Sequence, residues 1–327
     1  MARLSTPAGV ELAPLTTNDV AAAAELSAAI GWNQDAHDWR RLIDLHPSTV
    51  IGAWRGGRLL GTATLAVYPP VLAWLGMVIT HPDARGQGIG GAVVDAVLAT
   101  PEAASVPLIG LDATPAGAPI YQRRGFETVA TVERWEGRLV VGGVDAEGLG
   151  DVSAGVSAGV SAGASAGASA GASAGASAGV TVRPLSAADT ASAVAFDRDA
   201  AEVDRSAMLT HLLGEPGVRA WVAEDAGRLV GYAVLRPGRT HVHLGPVVAE
   251  DDEVYGKLLV SALLVSAEAA GSAQPVFVDA AHRDGVAERL EAAGFVVART
   301  LGRMTRGRGV TALTGERLKA AMALEWG

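Results

Sequence analysis

The stretch HPDARGQGIGGAVVDAVL, His81 to Leu98, decides how this chain is read. The apolar run WLGMVIT, Trp74 to Thr80, feeds a short polar turn, and the turn passes through Arg85, Gly86, Gly88, Gly90 and Gly91 into an apolar-periodic segment. Strand, glycine-rich loop and helix start in that order make an anion cradle. Glycines let the main chain approach closely, the first N–H groups of a helix lack intrahelical partners, and the helix dipole favours negative charge there. The spacing predicts a bound phosphate or pyrophosphate on a cofactor; a bare tight turn is the plainer alternative.

The glycines alone do not name that cofactor. Gly86, Gly88 and Gly91 satisfy G-x-G-x-x-G, and Asp112 follows about 20 residues later, as in a dinucleotide fingerprint. The context argues against it. His81 to Arg85 intervene between strand and first glycine, and several predicted elements precede the motif. A P-loop is excluded, because no Gly-Lys-Ser/Thr is present.

The segment resembles the GNAT superfamily of acyl-CoA-dependent acyltransferases, whose Gln/Arg-x-x-Gly-x-Gly/Ala signature reads here Arg85-Gly86-Gln87-Gly88-Ile89-Gly90, with Pro82 three residues earlier. Downstream, LDATPAGAPIYQRRGF, Leu111 to Phe126, is similar to the family's fifth strand, the following helix and a closing Gly-Phe. The resemblance implies an α+β fold, a mixed, mostly antiparallel sheet with splayed central parallel strands flanked by helices. It implies acetyl-CoA as co-substrate and no metal. Its pantetheine would lie along the main chain of Val78, Ile79 and Thr80, and its pyrophosphate on Gly86, Gln87, Gly88, Ile89, Gly90 and Gly91, with Arg85 adding charge. Tyr121 stands where the family's general acid stands, to protonate the departing thiolate; a tyrosine packing its helix onto the sheet is the alternative. No base is visible on strand four. Asp112 is the nearest carboxylate, with a strand-end role or a water chain as alternatives, and Asp35 and His37 are weaker candidates. Trp32, Asp35 and Trp74, with Tyr68, are candidates for an acceptor pocket, against ordinary core packing of the tryptophans.

Composition narrows the rest. A net charge of −9 opposes a nucleic-acid partner, which needs a basic face. The absence of cysteine removes disulfides and thiolate chemistry and suits a reducing cytoplasm. The start MARLSTPAGV has no apolar signal core, and no apolar run approaches the ~20 residues of a membrane span. The Ala/Gly/Val-heavy, Lys-poor usage points to a high-GC bacterial genome. His241 and His243 share a strand face, but two histidines without a third ligand do not make a metal site. The oligomeric state is open, a homodimer being compatible with the sequence.

The chain is duplicated. VELAPLTTNDV from Val10 matches VTVRPLSAADT from Val180, and Arg58-Leu59-Leu60-Gly61 matches Arg228-Leu229-Val230-Gly231. Gly125-Phe126 matches Gly294-Phe295, and Arg134 matches Arg303, at nearly the same separation. Between the halves, Ser153 to Val180 repeats Ser-Ala-Gly-Val/Ala seven times, a composition that reads as a flexible tether. The expected division is a catalytic domain over 1–147, a linker over 148–180, a degenerate GNAT-like domain over 181–313 and a C-terminal tail helix over 314–327.

In the second half the cradle is lost. In AEDDEVYGKLL, Ala249 to Leu259, Val254 stands at the place of Arg85, Lys257 at that of Gly88 and Leu259 at that of Gly90, and the carboxylates Glu250, Asp251, Asp252 and Glu253 of the same loop repel a pyrophosphate. That half is expected to bury apolar surface against the first or to contribute to the acceptor pocket. The function that follows is acetyl transfer to an amine of a small molecule or peptide by direct attack. A non-catalytic acyl-CoA sensor or scaffold, and a nicotinamide oxidoreductase, are the competitors.

Overall fold

The computed structural model describes residues 6–138, 179–270, 275–308 and 315–327. The repeat proposed as a linker lies outside the described residues, apart from Gly179 and Val180. The first half runs β1 (Glu11–Pro14), α1 (Val20–Ala29), α2 (Ala36–Leu45), β2 (Val50–Arg55), β3 (Arg58–Tyr68), β4 (Leu72–Thr80), α3 (Ile89–Leu98), α4 (Pro101–Ala104), β5 (Leu108–Ala113), α5 (Ala118–Gln122) and β6 (Glu127–Arg138). The second half repeats the order as β7 (Thr181–Pro184), α6 (Thr190–Ala201), α7 (Ser206–Leu213), β8 (Arg219–Asp225), β9 (Arg228–Arg236), β10 (Val242–Ala249), α8 (Asp252–Ala270), β11 (Pro275–Ala281), α9 (Asp284–Ala292) and β12 (Val296–Gly307). A final short strand, β13 (Leu318–Ala320), follows.

Local chemistry sets these elements. Gly56 and Gly57, both at positive φ, turn β2 into β3 with the handedness a two-residue hairpin needs. Thr16 and Asp19 form a capping box ahead of α1. Asp35 caps α2 by accepting from the His37 and Asp38 amides at 2.7 and 3.4 Å. That engagement takes Asp35, expected near the acceptor, into the helix start.

All the strands join one mixed sheet in the order β1-β2-β3-β4-β5-β12-β6-β11-β10-β9-β8-β7, with β13 on β10. The two halves exchange their last long strands. β12 lies antiparallel on β5, β6 lies antiparallel on β11, and the two exchanged strands pair with each other. The division of the chain at the repeat therefore follows the sequence but not the sheet.

In each half the central parallel pair separates. β4 and β5 pair only from Leu72–Leu108 to Trp74–Gly110, and β10 and β11 only from Val242–Val276 to Leu244–Val278. Each half has its own sheet-and-helix core, and a third apolar cluster lies between them. There Leu26, Trp39 and Leu42 of the first half meet Met208, Leu209 and Leu212 of the second, with Met322 and Trp326 of the tail.

The tail is not the helix its sequence suggests. Leu318–Ala320 runs as a strand on β10, with Val247 opposite Ala320 and Val248 opposite Leu318, and turns follow. Beyond Leu244 the splay leaves β10 without its parallel neighbour, and pairing with those open main-chain groups overrides the helix propensity of ERLKAAMALEW.

Candidate active site

The glycine loop has the local form that the sequence predicts. After β4, His81 to Ala84 make a short 3-10 turn. Gly86 and Gly88 take φ of 76° and 80°, a region L side chains rarely adopt, and α3 begins at Ile89. Arg85 through Gly91 all line one open basin. Gln87 fastens the loop, accepting from Arg55 at 2.9 Å and donating to the Asp83 carbonyl at 3.1 Å. The basin's far wall is Arg123 and Arg124, a basic pair not singled out from the sequence, although it stands directly before Gly125-Phe126. Arg124 is anchored by Asp95, at 2.6 and 2.8 Å, and by the Gly91 carbonyl at 3.0 Å, which clamps α5 against α3.

The basin adjoins the splay. Thr80, Gly90 and Ile120 line both the basin and a cleft of about 150 Å³ between β4 and β5. A bulge shapes the β4 wall. Thr62 faces Ile79 and Thr64 faces Gly76, so Met77 and Val78 together oppose Ala63, and Met77 sits at φ 47°. Thr62 Oγ1 donates to the Met77 carbonyl at 2.8 Å and holds the bulge. Val78 and Thr80 line the cleft, whereas the side chain of Ile79 points into the core.

Tyr121 lines the opposite wall and is 8% exposed. It packs edge-on against Phe126 with ring centroids 6.1 Å apart. Burial pushes its phenol up to about 12, against a smaller opposite pull from Arg124. A phenol held protonated and facing a cleft can give its proton to a leaving group there.

Other expected residues are engaged elsewhere. Asp112 touches the cleft, but both its oxygens accept from Arg303 of β12, at 2.9 and 2.8 Å, and its side chain is buried. Burial pushes its carboxyl up and Arg303 opposes the shift. Trp74, expected in the acceptor pocket, is fully buried; it stacks under Arg303 at 4.7 Å, and its Nε1 donates to the Leu324 carbonyl at 2.9 Å. Tyr68 likewise donates to the Trp326 carbonyl at 2.7 Å. Both aromatic side chains hold the C-terminal tail. Trp32 does line the cleft.

The tail brings in residues that no local signal announces. Leu324 and Glu325 line the cleft beside Gly76, with Gln34 across from them and Arg299 and Leu301 arriving on β12. Glu325 Oε2 accepts from Gln34 at 2.9 Å, and Arg236 lies 3.4 Å from Oε1. Burial pushes the Glu325 carboxyl up, opposed chiefly by Arg236.

The second cleft has a different content. β13 occupies the gap that opens between β10 and β11. The Ala321 amide donates to the Asp279 carbonyl at 2.7 Å, and Lys319 Nζ reaches Asp252 at the start of α8 at 2.6 Å. A polypeptide strand thus lies where the first half has open space, and a lysine meets an aspartate of the acidic loop that replaces the cradle. Among the described residues, no group of three or more His, Cys, Asp or Glu could hold a metal, and no helix is long and apolar enough to cross a membrane.

Two family models match the chain, both described as an acetyltransferase (GNAT) domain, over residues 46–128 and 193–317. A search of curated protein sequences returns no match. Among solved structures, a provisionally assigned acetyltransferase from Pyrococcus horikoshii aligns with 100% of this chain and 99% of its own at 16% identity and a TM-score of 0.72. A tandem GNAT protein from the clavulanic acid biosynthesis pathway aligns over 92% of this chain and 99% of its own, at 18% identity and a TM-score of 0.61. A GCN5-related N-acetyltransferase from Sphaerobacter thermophilus aligns over 95% and 100%, at 14% identity and a TM-score of 0.59. At these identities the likeness is one of fold.

Proposed function

This chain belongs to the GNAT acetyltransferase superfamily, with two copies of its domain, and on that premise we propose that it is an acetyl-CoA-dependent N-acetyltransferase working through the first-half cleft alone. One observation carries the reading. The glycine basin and the β4–β5 cleft adjoin, sharing Thr80, Gly90 and Ile120 as walls, and Tyr121 stands in the cleft wall.

The residues fit the co-substrate. A Cβ on Gly90 would come within 3.0 Å of Thr80 Oγ1, and one on Gly91 within 3.0 Å of Arg124 Nη2, so close approach to the first turn of α3 depends on both glycines. The first amides of α3 and the guanidinium groups of Arg85 and Arg123 suit a pyrophosphate. The main chain of Val78 to Thr80 suits an extended amide-bearing arm lying along β4. The thioester then lies in the cleft, the acceptor amine attacks its carbonyl carbon, and Tyr121 protonates the departing sulfur.

Absence of a second centre accords with the strand seated in the second cleft. A cytoplasmic place of action suits the cysteine-free composition. Calorimetric titration of the full chain tests the reading. Saturable binding of acetyl-CoA, lost when the glycine loop is altered, supports it, and binding of NAD or NADP in its place overturns it.

A further inference from the structure

Among the described residues, Arg299 makes no direct ion pair. It lies on β12, just after the register shift that separates the Val297–Trp135 and Arg299–Arg134 pairings, and it faces the cleft that holds Tyr121. Its Nε is buried with no hydrogen-bond partner, and among the described residues its guanidinium joins no ion pair. Burial pulls the group below its ordinary value, Arg134 adds to the shift, and Asp279 and Glu325 oppose it. A guanidinium nevertheless stays charged in a protein, and a desolvated one is costly unless an anion meets it. The carboxylate beside it in the cleft, Glu325, is already held by Gln34 and Arg236. Arg299 does not line the glycine basin, so the pyrophosphate has other partners.

Resting on the acetyltransferase reading above, we infer that the acceptor is a small primary amine bearing a carboxylate, its carboxylate received by Arg299 and its amine by Glu325. One guanidinium balances one carboxylate and can donate to both of its oxygens, whereas a phosphate dianion calls for more positive charge than this end of the cleft supplies. A cleft of about 150 Å³ suits a small acceptor. Glu325 is the proton acceptor that β4 lacks. Its carboxylate lines the cleft beside Gly76 and opposite the wall that carries Tyr121, within reach of an amine bound there. In the transfer, the amine nitrogen forms its bond to the thioester carbon and the carbon–sulfur bond breaks. The sulfur takes the Tyr121 proton, and the proton lost by nitrogen passes to Glu325 and returns through solvent to the phenolate. Amide and free thiol result, with no redox change. Both acceptor-facing charges come from the second half and its tail, which gives a half without a cradle a part in the reaction.

Thiol release from acetyl-CoA by the full chain, measured over a panel of amino acids and their matching carboxamides, tests this. For at least one amino acid kcat/KM should exceed that of its carboxamide by about tenfold or more, the scale of one charge-assisted contact. Arg299→Gln should abolish that preference by raising KM for the acid, and Arg299→Lys should restore part of it. Glu325→Gln should lower kcat for both classes with an unchanged acetyl-CoA titration. The inference is overturned if carboxamides are acetylated as well as the acids, if the preference survives Arg299→Gln, or if acetyl-CoA binds and no amino acid releases thiol. Failure of acetyl-CoA to bind would instead bring down the acetyltransferase reading itself.

Discussion

Arg303 and Asp112 face each other across the β12–β5 ladder and form a two-pronged ion pair, at 2.9 and 2.8 Å, between strands from opposite halves of the chain. Arg134 and Asp279 repeat the arrangement across β6 and β11, at 2.7 and 2.6 Å. Each exchanged strand is therefore pinned to the fifth strand of the other half by the same buried contact. Arg303→Met would leave the Asp112 carboxylate buried and unpaired, which should cost about 3–5 kcal/mol. The double variant Arg303→Met/Asp112→Leu should recover most of that, because two apolar groups of similar volume satisfy the site without desolvating a charge. Equilibrium urea unfolding of the three proteins measures both differences. Equal losses in the single and double variants would mean that the pair is not what holds the strand.

Tyr121 offers the most direct kinetic test. With its phenol pushed up to about 12, the group stays protonated through the neutral range and is available as an acid. Tyr121→Phe keeps the ring that packs on Phe126 and removes only the proton donor. Turnover should fall by about 10²–10⁴-fold, with acetyl-CoA affinity nearly unchanged. Unaltered turnover in steady-state kinetics would return Tyr121 to a packing role.

The cradle can be filled from one of its own glycines. Gly90 borders both basin and cleft, and a larger side chain there meets Thr80 Oγ1 and occupies the approach to the first turn of α3. Gly90→Val should weaken acetyl-CoA binding by about tenfold or more, the loss of roughly one charge-assisted interaction. Calorimetry gives the affinity, and a thermal scan shows whether the fold is kept.

Much of this architecture was legible because its signals are local. The glycine loop, the Gly56-Gly57 hairpin and the element order in each half all rest on residues close in sequence. The strand exchange was not legible. β6 and β12 both follow a Gly-Phe pair and carry an arginine at matching positions, so nothing in either strand says which half it joins. The Arg134–Arg303 correspondence showed the duplication, but the aspartates that receive those arginines are visible only once the sheet is assembled. Trp74 and Tyr68 suit acceptor walls by residue type, as aromatic residues near a cleft do; in place, their polar atoms hold the main chain of the tail. Glu325 gave no signal, since a carboxylate at the far end of the chain reaches β4 only through the path of that tail.

Acid should loosen the molecule before it touches most carboxylates. Burial lowers His46 and His243 to about 4, so in the folded state both stay neutral where an unfolded chain would protonate them. Between the ordinary value near 6.5 and about 4, the unfolded state binds more protons. Stability from these two groups is therefore full above about pH 6.5 and declines as pH falls through that window. Each contributes a slope of at most about 1.4 kcal/mol per pH unit. Urea midpoints at pH 7, 6 and 5 should fall in step, and His46→Leu should remove about half of the decline. A midpoint constant over that range would mean that the two rings are not held neutral.

The tail passes a glycine in each half, and those two positions separate its structural role from its chemical one. A Cβ on Gly245 of β10 would overlap the Ala321 carbonyl, and one on Gly76 of β4 would overlap the main chain of Glu325. Either alanine forces the tail to shift, at a cost of about 1–3 kcal/mol typical of overpacking. Gly245→Ala should speed hydrogen exchange at the Ala321 amide, which donates to Asp279 in the native state, as the strand lifts from the second cleft. Gly76→Ala should leave that amide protected while lowering kcat, because it displaces the carboxylate in the first cleft. Acetyl-CoA affinity should change little in both variants, since the tail does not line the glycine basin. Amide exchange by mass spectrometry and thiol-release kinetics on the same two proteins read the separation. If Gly76→Ala turned over at the parent rate with Glu325 shown to be displaced, the carboxylate would have no part in the chemistry.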